Sequence, residues 1–191
     1  MNEFQALGEL LWMLVTDPNT GVLIALLVVA AVIDWRSVRI PNWLTLSGAA
    51  YALVYQAGHG IGSGSGLTTA ALGLLTGLVL LLPLYAIRVV GAGDAKLLAM
   101  VGTFLGAAAV LKAALFIFVI GGAGALIFTY SRRATGLLAA NVRDIALSVV
   151  TPGMPVWRPG GAAVSVGRMS YGVCISLGTV VFLIARQLAF I

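Results

Sequence analysis

Uncharged apolar runs alternate along this chain with short segments that collect most of its polar and charged residues. The first long run, Pro18 to Ile33, has a core of Val, Leu, Ile and Ala from Val22 onward and ends at Asp34, which predicts one apolar helix. Between Ile40 and Ile87 no residue carries a formal charge, and the Gly/Ser-rich stretch His59 to Gly66 divides that length into two helices, Trp43 to Ala57 and Leu67 to Ile87. Past Arg88 and Lys96 the pattern gives two more, Leu97 to Gly106 and Leu111 to Tyr130, and a last one from Tyr171 to Phe190. The section between Tyr130 and Tyr171, broken by Pro152, Pro155, Pro159, Gly160 and Gly161, reads as the longest polar connection. Two amphipathic surface helices are expected besides. One is Met1 to Val15, with Phe4, Leu7, Leu10, Leu11 and Leu14 near helical spacing, and the other is Leu137 to Val150.

Composition turns this pattern into a membrane protein. With 61% hydrophobic and 9% charged residues and a mean hydropathy of +1.08, the chain has too little polar surface to cover a water-soluble core. A spanning helix needs about 20 residues to cross a hydrocarbon core about 30 Å thick. The expectation is a single all-α integral membrane domain over 1–191, a bundle of about six transmembrane helices with an N-terminal amphipathic segment. The spans fall near 20–34, 43–57, 67–87, 95–106, 111–130 and 171–190, with a cytoplasmic loop over 131–170. Gly73 with Gly77, and Gly102 with Gly106, are spaced as small-xxx-small pairs that let helix backbones approach closely in lipid.

The net charge of +5 reflects topology rather than a nucleic-acid surface, because the basic residues sit in connections and no basic patch interleaves with aromatics. In the six-span layout Arg36, Arg39, Arg88, Lys96, Arg132, Arg133, Arg143, Arg158 and Arg168 share one side, leaving only Lys112 and Arg186 of the 11 on the other. The rule that short cytoplasmic loops hold the Lys and Arg excess makes the richer side the cytoplasm and puts both termini across the membrane from it. Met1 to Leu11 carries Glu3 and Glu9 but no Lys or Arg, unlike the basic start of a cleavable signal peptide, so the chain is expected to insert by its own spans. Cys174, the single cysteine, excludes an internal disulfide and a zinc site built on paired cysteines, and reads as small apolar filler.

Six acidic residues remain to be placed. Glu3, Glu9 and Asp17 belong to the polar N-terminal part, and Asp144 has Arg143 beside it. Asp34 and Asp94 are different, since each stands where an apolar helix meets the same membrane face. A carboxylate at the C-terminal end of a helix, as at Asp34, is disfavoured by the macrodipole, and an ionisable group closing an apolar span is a functional hypothesis. Asp94 closes Gly91-Ala92-Gly93-Asp94 just before the next apolar run, so an N-cap explains it equally well. The two glycines allow close backbone approach where the carboxylate is presented. Lys96, two residues on, lies about 200° around a helix from Asp94, too far around for a salt bridge within one regular helix. Pro41 and Asn42 are expected to open the second helix.

Two close carboxylates sharing a proton can supply both the base that activates water and the acid that polarises a carbonyl. His59, the only histidine, falls in a loop on the predicted opposite side, which excludes a histidine-based triad and leaves a metal protease without its usual ligands.

Gly91-Ala92-Gly93-Asp94 followed by Lys96 resembles the GxGD motif of the type IV prepilin peptidases. Asp34-Trp35-Arg36-Ser37-Val38-Arg39-Ile40-Pro41-Asn42 resembles that family's first-aspartate segment, and the two occur in the family's order. The resemblance is good over Val22 to Leu105. Arg168-Met169-Ser170-Tyr171-Gly172-Val173 is similar to the Pro-Tyr-Gly stretch opening the family's last span, from which it departs at Ser170.

The resemblance implies a membrane aspartyl endopeptidase of the bacterial inner membrane with Asp34 and Asp94 catalytic and Gly91, Gly93 and Lys96 shaping the site. It implies no cofactor and no metal. Its partners would be membrane lipid and pilin-like precursors with a basic leader, a glycine and a hydrophobic helix, cut at the cytoplasmic face. Larger members carry a cytoplasmic domain with four zinc-binding cysteines and a methyltransferase activity, so one cysteine points to the short, peptidase-only branch serving Flp-type (tight-adherence) pili. Two other classes fit an apolar chain with paired carboxylates. A small proton-coupled transporter would place them near the midplane, and a non-catalytic assembly factor would tolerate asparagine at both positions.

The basic-residue distribution gives a topology test. In a Cys174→Ala background, single cysteines at positions 36, 96 and 158 should react only with reagent supplied from the cytoplasmic side. Labelling of position 36 or 158 from the outside alone would overturn the layout.

Overall fold

The computed structural model describes residues 17–59, 65–86, 90–131, the single position 136 and 170–188. Among them lie six α-helices and no strand: α1 Pro18–Ser37, α2 Asn42–His59, α3 Ser65–Ala86, α4 Ala92–Leu105, α5 Ala107–Ser131 and α6 Tyr171–Gln187. Element number and order follow the hydropathy pattern. Both expected surface helices, 1–15 and 137–150, lie outside the described residues, as do Arg88, Arg132, Arg133, Arg143, Asp144, Arg158 and Arg168. The chain divides into one compact unit of Met1–Gly121 with Ser170–Ile191 and a second of Gly122–Met169. In the second, the described part is the distal end of α5 and position 136.

Three helices are long and apolar enough to cross a bilayer: Pro18–Ser37, Gly66–Ala86 and Ala107–Ser131. With them the chain is a multi-pass membrane protein. The helix at the fourth predicted span, α4, has 14 residues, about 21 Å of helix against about 30 Å of hydrocarbon. It is short because Gly106, at φ 81°, ends it and α5 starts one residue later. Only glycine adopts that backbone at no steric cost. α4 also starts earlier than its apolar run, at Ala92, because the Gly-Ala-Gly-Asp segment is itself helical from its second residue.

Helix directions within the first unit follow from pairs of contacts. Gly73 of α3 meets Gly102 and Gly106, and Gly77 meets Leu98 and Ala99, so α3 and α4 run antiparallel with backbone against backbone. Tyr51 stacks on Phe104, and Gln56 donates to the Phe104 carbonyl at 3.3 Å; near the other end, Lys96 donates to Asn42 at 2.8 Å. These pairs make α2 parallel to α4. Leu26 against Gly48 and the Tyr51 hydroxyl on the Pro18 carbonyl make α1 and α2 a hairpin. Gly121 against Tyr171, with Gly178 against Ile117, sets α6 antiparallel to α5. α4 is the central element: every residue from Leu97 to Phe104 is buried.

The outward surface carries Val28, Val54, Leu67, Leu72, Leu75, Val79, Leu111, Leu115 and Val119, all exposed, which suits lipid rather than water. The buried hydroxyls of Thr103, Ser176 and Thr179 donate to carbonyls four residues back, so they carry no unmet donor into the apolar core.

A side chain at Gly73 or Gly102 would collide with the backbone of the opposite helix. Gly73→Ala or Gly102→Ala should therefore cost about 1–3 kcal/mol or more through forced separation of α3 and α4. Gly122→Ala, at a position with open space around it, should be neutral. Thermal melting in detergent checks the contrast.

Candidate active site

The antiparallel and parallel pairings gather one set of helix ends at one end of the first unit. There lie the last turn of α1 with Asp34, the start of α2, the start of α4 with Asp94, and the start of α6. Arg36, Arg39 and Lys96 share this end. Lys112 and Arg186 lie at the opposite one, where they border the same small recess.

Asp34 is buried, only 3% exposed. Its Oδ2 accepts the backbone N–H of Gly172 at 2.9 Å, and its carbonyl accepts the Val38 N–H at 2.8 Å and the Ser170 hydroxyl at 3.1 Å. The unfavourable dipole of its own helix end is thus opposed by the N-terminus of α6, whose second residue supplies the N–H. α1 closes with Val38 in the left-handed region at φ 50°, which turns the chain sharply toward Ile40 and Pro41.

Asp94 does not cap α4 in the expected way. Gly91 occupies the cap position, and Asp94 is the third helical residue, its Oδ2 reaching back to the Gly91 N–H at 3.0 Å. That is the acidic half of a capping box, and it holds the carboxylate at the helix N-terminus on the half-buried side. Gly93 gives room for Ile40: a Cβ there would lie 3.2 Å from the Ile40 Cβ. Ile40 in turn fills the space beside Gly172, so one apolar side chain packs between the segments that present the two carboxylates.

Asp34 is bonded to Gly172 in the first turn of α6, and Ile40 packs on both Gly172 and Gly93, so the segments that present the two acids meet beside that turn. Cys174 is buried, in keeping with a small core residue. Lys96 forms no ion pair with Asp94; its ammonium donates to Asn42 Oδ1 and so ties α4 to the first residue of α2. Among the described residues no group of three or more His, Cys, Asp and Glu side chains is arranged to hold a metal ion. Sequence reasoning missed the part played by Ile40 and by the Ser170–Gly172 segment. The available signal was a glycine at the second position of an apolar helix, where a backbone N–H is free to leave the helix.

The architecture and site thus define a multi-pass helical membrane protein that brings two acidic side chains to one end of its bundle. Within that class, the chain belongs to the type IV leader peptidase family, whose model matches residues 21–127 and so includes both Asp34 and Asp94. No curated protein and no solved structure gives a match. Ser170 and Gly172 lie outside the matched segment.

The cross-helix bond of Lys96 can be isolated thermodynamically. Lys96→Ala and Asn42→Ala should be non-additive in a double-mutant cycle, with a coupling of at least about 0.5 kcal/mol read from melting in detergent. Additive effects would mean that the bond does not hold α2 to α4.

Proposed function

We propose that this protein is an aspartyl endopeptidase that removes the leader of Flp-like type IV prepilins at the cytoplasmic face of the bacterial inner membrane, with Asp34 and Asp94 as its acid–base pair. The observation that carries the reading is that the segments presenting these two residues, both within the family-matched part of the chain, meet through Ile40 beside the first turn of α6, where Gly172 binds the Asp34 carboxylate. In the proposed reaction one carboxylate takes a proton from water while the other, protonated, donates to the scissile carbonyl. The new C–O bond gives a tetrahedral intermediate; the C–N bond then breaks as the leaving nitrogen takes a proton from the pair. Gly91 and Gly93 shape the site by bringing backbone close to Asp94 and Ile40, and Lys96 does so through Asn42.

Depth and side are supported separately. Trp35, Trp43 and Tyr85 are exposed on the same end as Asp34, as expected where a bundle crosses from hydrocarbon to headgroups. An interfacial site suits a substrate whose cleaved bond precedes a hydrophobic helix, and it disfavours a transporter, whose carboxylates would lie near the midplane. The cytoplasmic assignment rests on the Lys and Arg distribution. The Flp branch rests on the single cysteine, which is too few for the zinc-bearing domain of the larger members.

Asp34→Asn and Asp94→Asn should each reduce cleavage of a prepilin by a factor of about 10² to 10⁴ at matched protein levels. Asparagine at 94 still accepts the Gly91 N–H, so capping survives and only the ionisable group is lost. The parent enzyme's activity should be bell-shaped in pH, with apparent constants belonging to the pair. Near-normal cleavage by either variant, followed by gel shift of the precursor, would defeat the mechanism.

A further inference from the structure

Ser170 stands at the N-cap of α6, a position where serine ordinarily accepts a backbone N–H from its own helix, yet its side chain makes no such bond. Its hydroxyl donates instead to the Asp34 carbonyl, 3.1 Å away on α1. The N–H it would have capped, that of Gly172, donates to the Asp34 carboxylate at 2.9 Å. Asp34 therefore caps α6 from another helix, while Ser170 fastens the two helices at the backbone of that same residue. The fit leaves no slack, because a Cβ on Gly172 would lie 2.9 Å from Asp34 Oδ2 and 2.8 Å from Ile40 Cδ1.

We propose that Ser170 and Gly172 form a two-point clamp that positions the Asp34 carboxylate for catalysis, Ser170 by holding the α1 backbone and Gly172 by holding the carboxylate oxygen. The inference rests on the peptidase reading of Asp34 and adds residues outside the family-matched segment. Neither residue touches the scissile bond; both act through Asp34. A carboxylate displaced by a fraction of an ångström still binds substrate beside it but meets the attacking water badly, so the loss should fall on kcat rather than KM. Half-buried between α1 and α6, the Ser170 hydroxyl can be removed without opening a large cavity, and threonine supplies the same donor.

The test uses the full-length protein in detergent and a synthetic peptide with a basic leader, a glycine and a hydrophobic helix. Ser170→Ala should lower kcat about tenfold with KM nearly unchanged, and Ser170→Thr should restore it. Gly172→Ala should lower kcat further, because its methyl group displaces the carboxylate itself. Melting of each variant separates positioning from folding. A Ser170→Ala enzyme that melts lower but turns over at the parental rate per folded molecule would overturn the clamp, as would failure of Ser170→Thr to rescue a lowered kcat. Full activity in Ser170→Ala and Gly172→Ala beside an inactive Asp34→Asn would remove the clamp and leave the peptidase reading standing. Full activity in Asp34→Asn would remove both.

Discussion

The backbone contact between α3 and α4 is the constraint on which the rest depends. Gly73 and Gly102 each occupy space that a side chain on the other would need, so the two helices approach as closely as main chains allow. In lipid, where apolar side chains gain little by leaving the solvent, such close packing is a main source of helix association. It draws α4 into the middle of the first unit, where α2 and α6 pack on it and its residues from Leu97 to Phe104 are buried. A helix enclosed in that way need not match the bilayer thickness, and α4 does not.

Placing α4 there also determines where Asp94 is presented. Its helix begins at the end of the unit where α1 finishes and α6 starts, so two helix N-termini, those of α4 and α6, face two carboxylates. Each acid accepts a backbone N–H at a helix N-terminus, one that the helix cannot use internally, which satisfies orphan donors. Ile40 packs against Gly93 and Gly172 and keeps the space between those segments apolar. A site of this kind is assembled from helix ends and glycines rather than from a dense array of polar side chains, which suits a protein with only 9% charged residues.

Much of this was legible in the sequence. Charge-free runs broken by the Gly/Ser stretch near His59 and by Gly106 gave six helices in the observed order, because in lipid every backbone group must be bonded within its own segment and only a helix does so locally. Asp34 and Asp94 stood out for an energetic reason, since an acid bordering an apolar span is costly unless it serves a purpose. The small-residue spacing of Gly73 and Gly102 correctly marked faces of close approach.

What the sequence by itself determined was therefore local: which segments are helical, that they belong in a membrane, and which two acids are out of place there. Only the tertiary structure decided that Asp94 is the third residue of α4 rather than its cap and that Lys96 binds Asn42. It also decided that Asp34, at the end of α1, is held by Ser170 and Gly172 from the far end of the chain. Those bonds join residues remote in sequence, and hydropathy and propensity carry no record of which free N–H a distant carboxylate will meet.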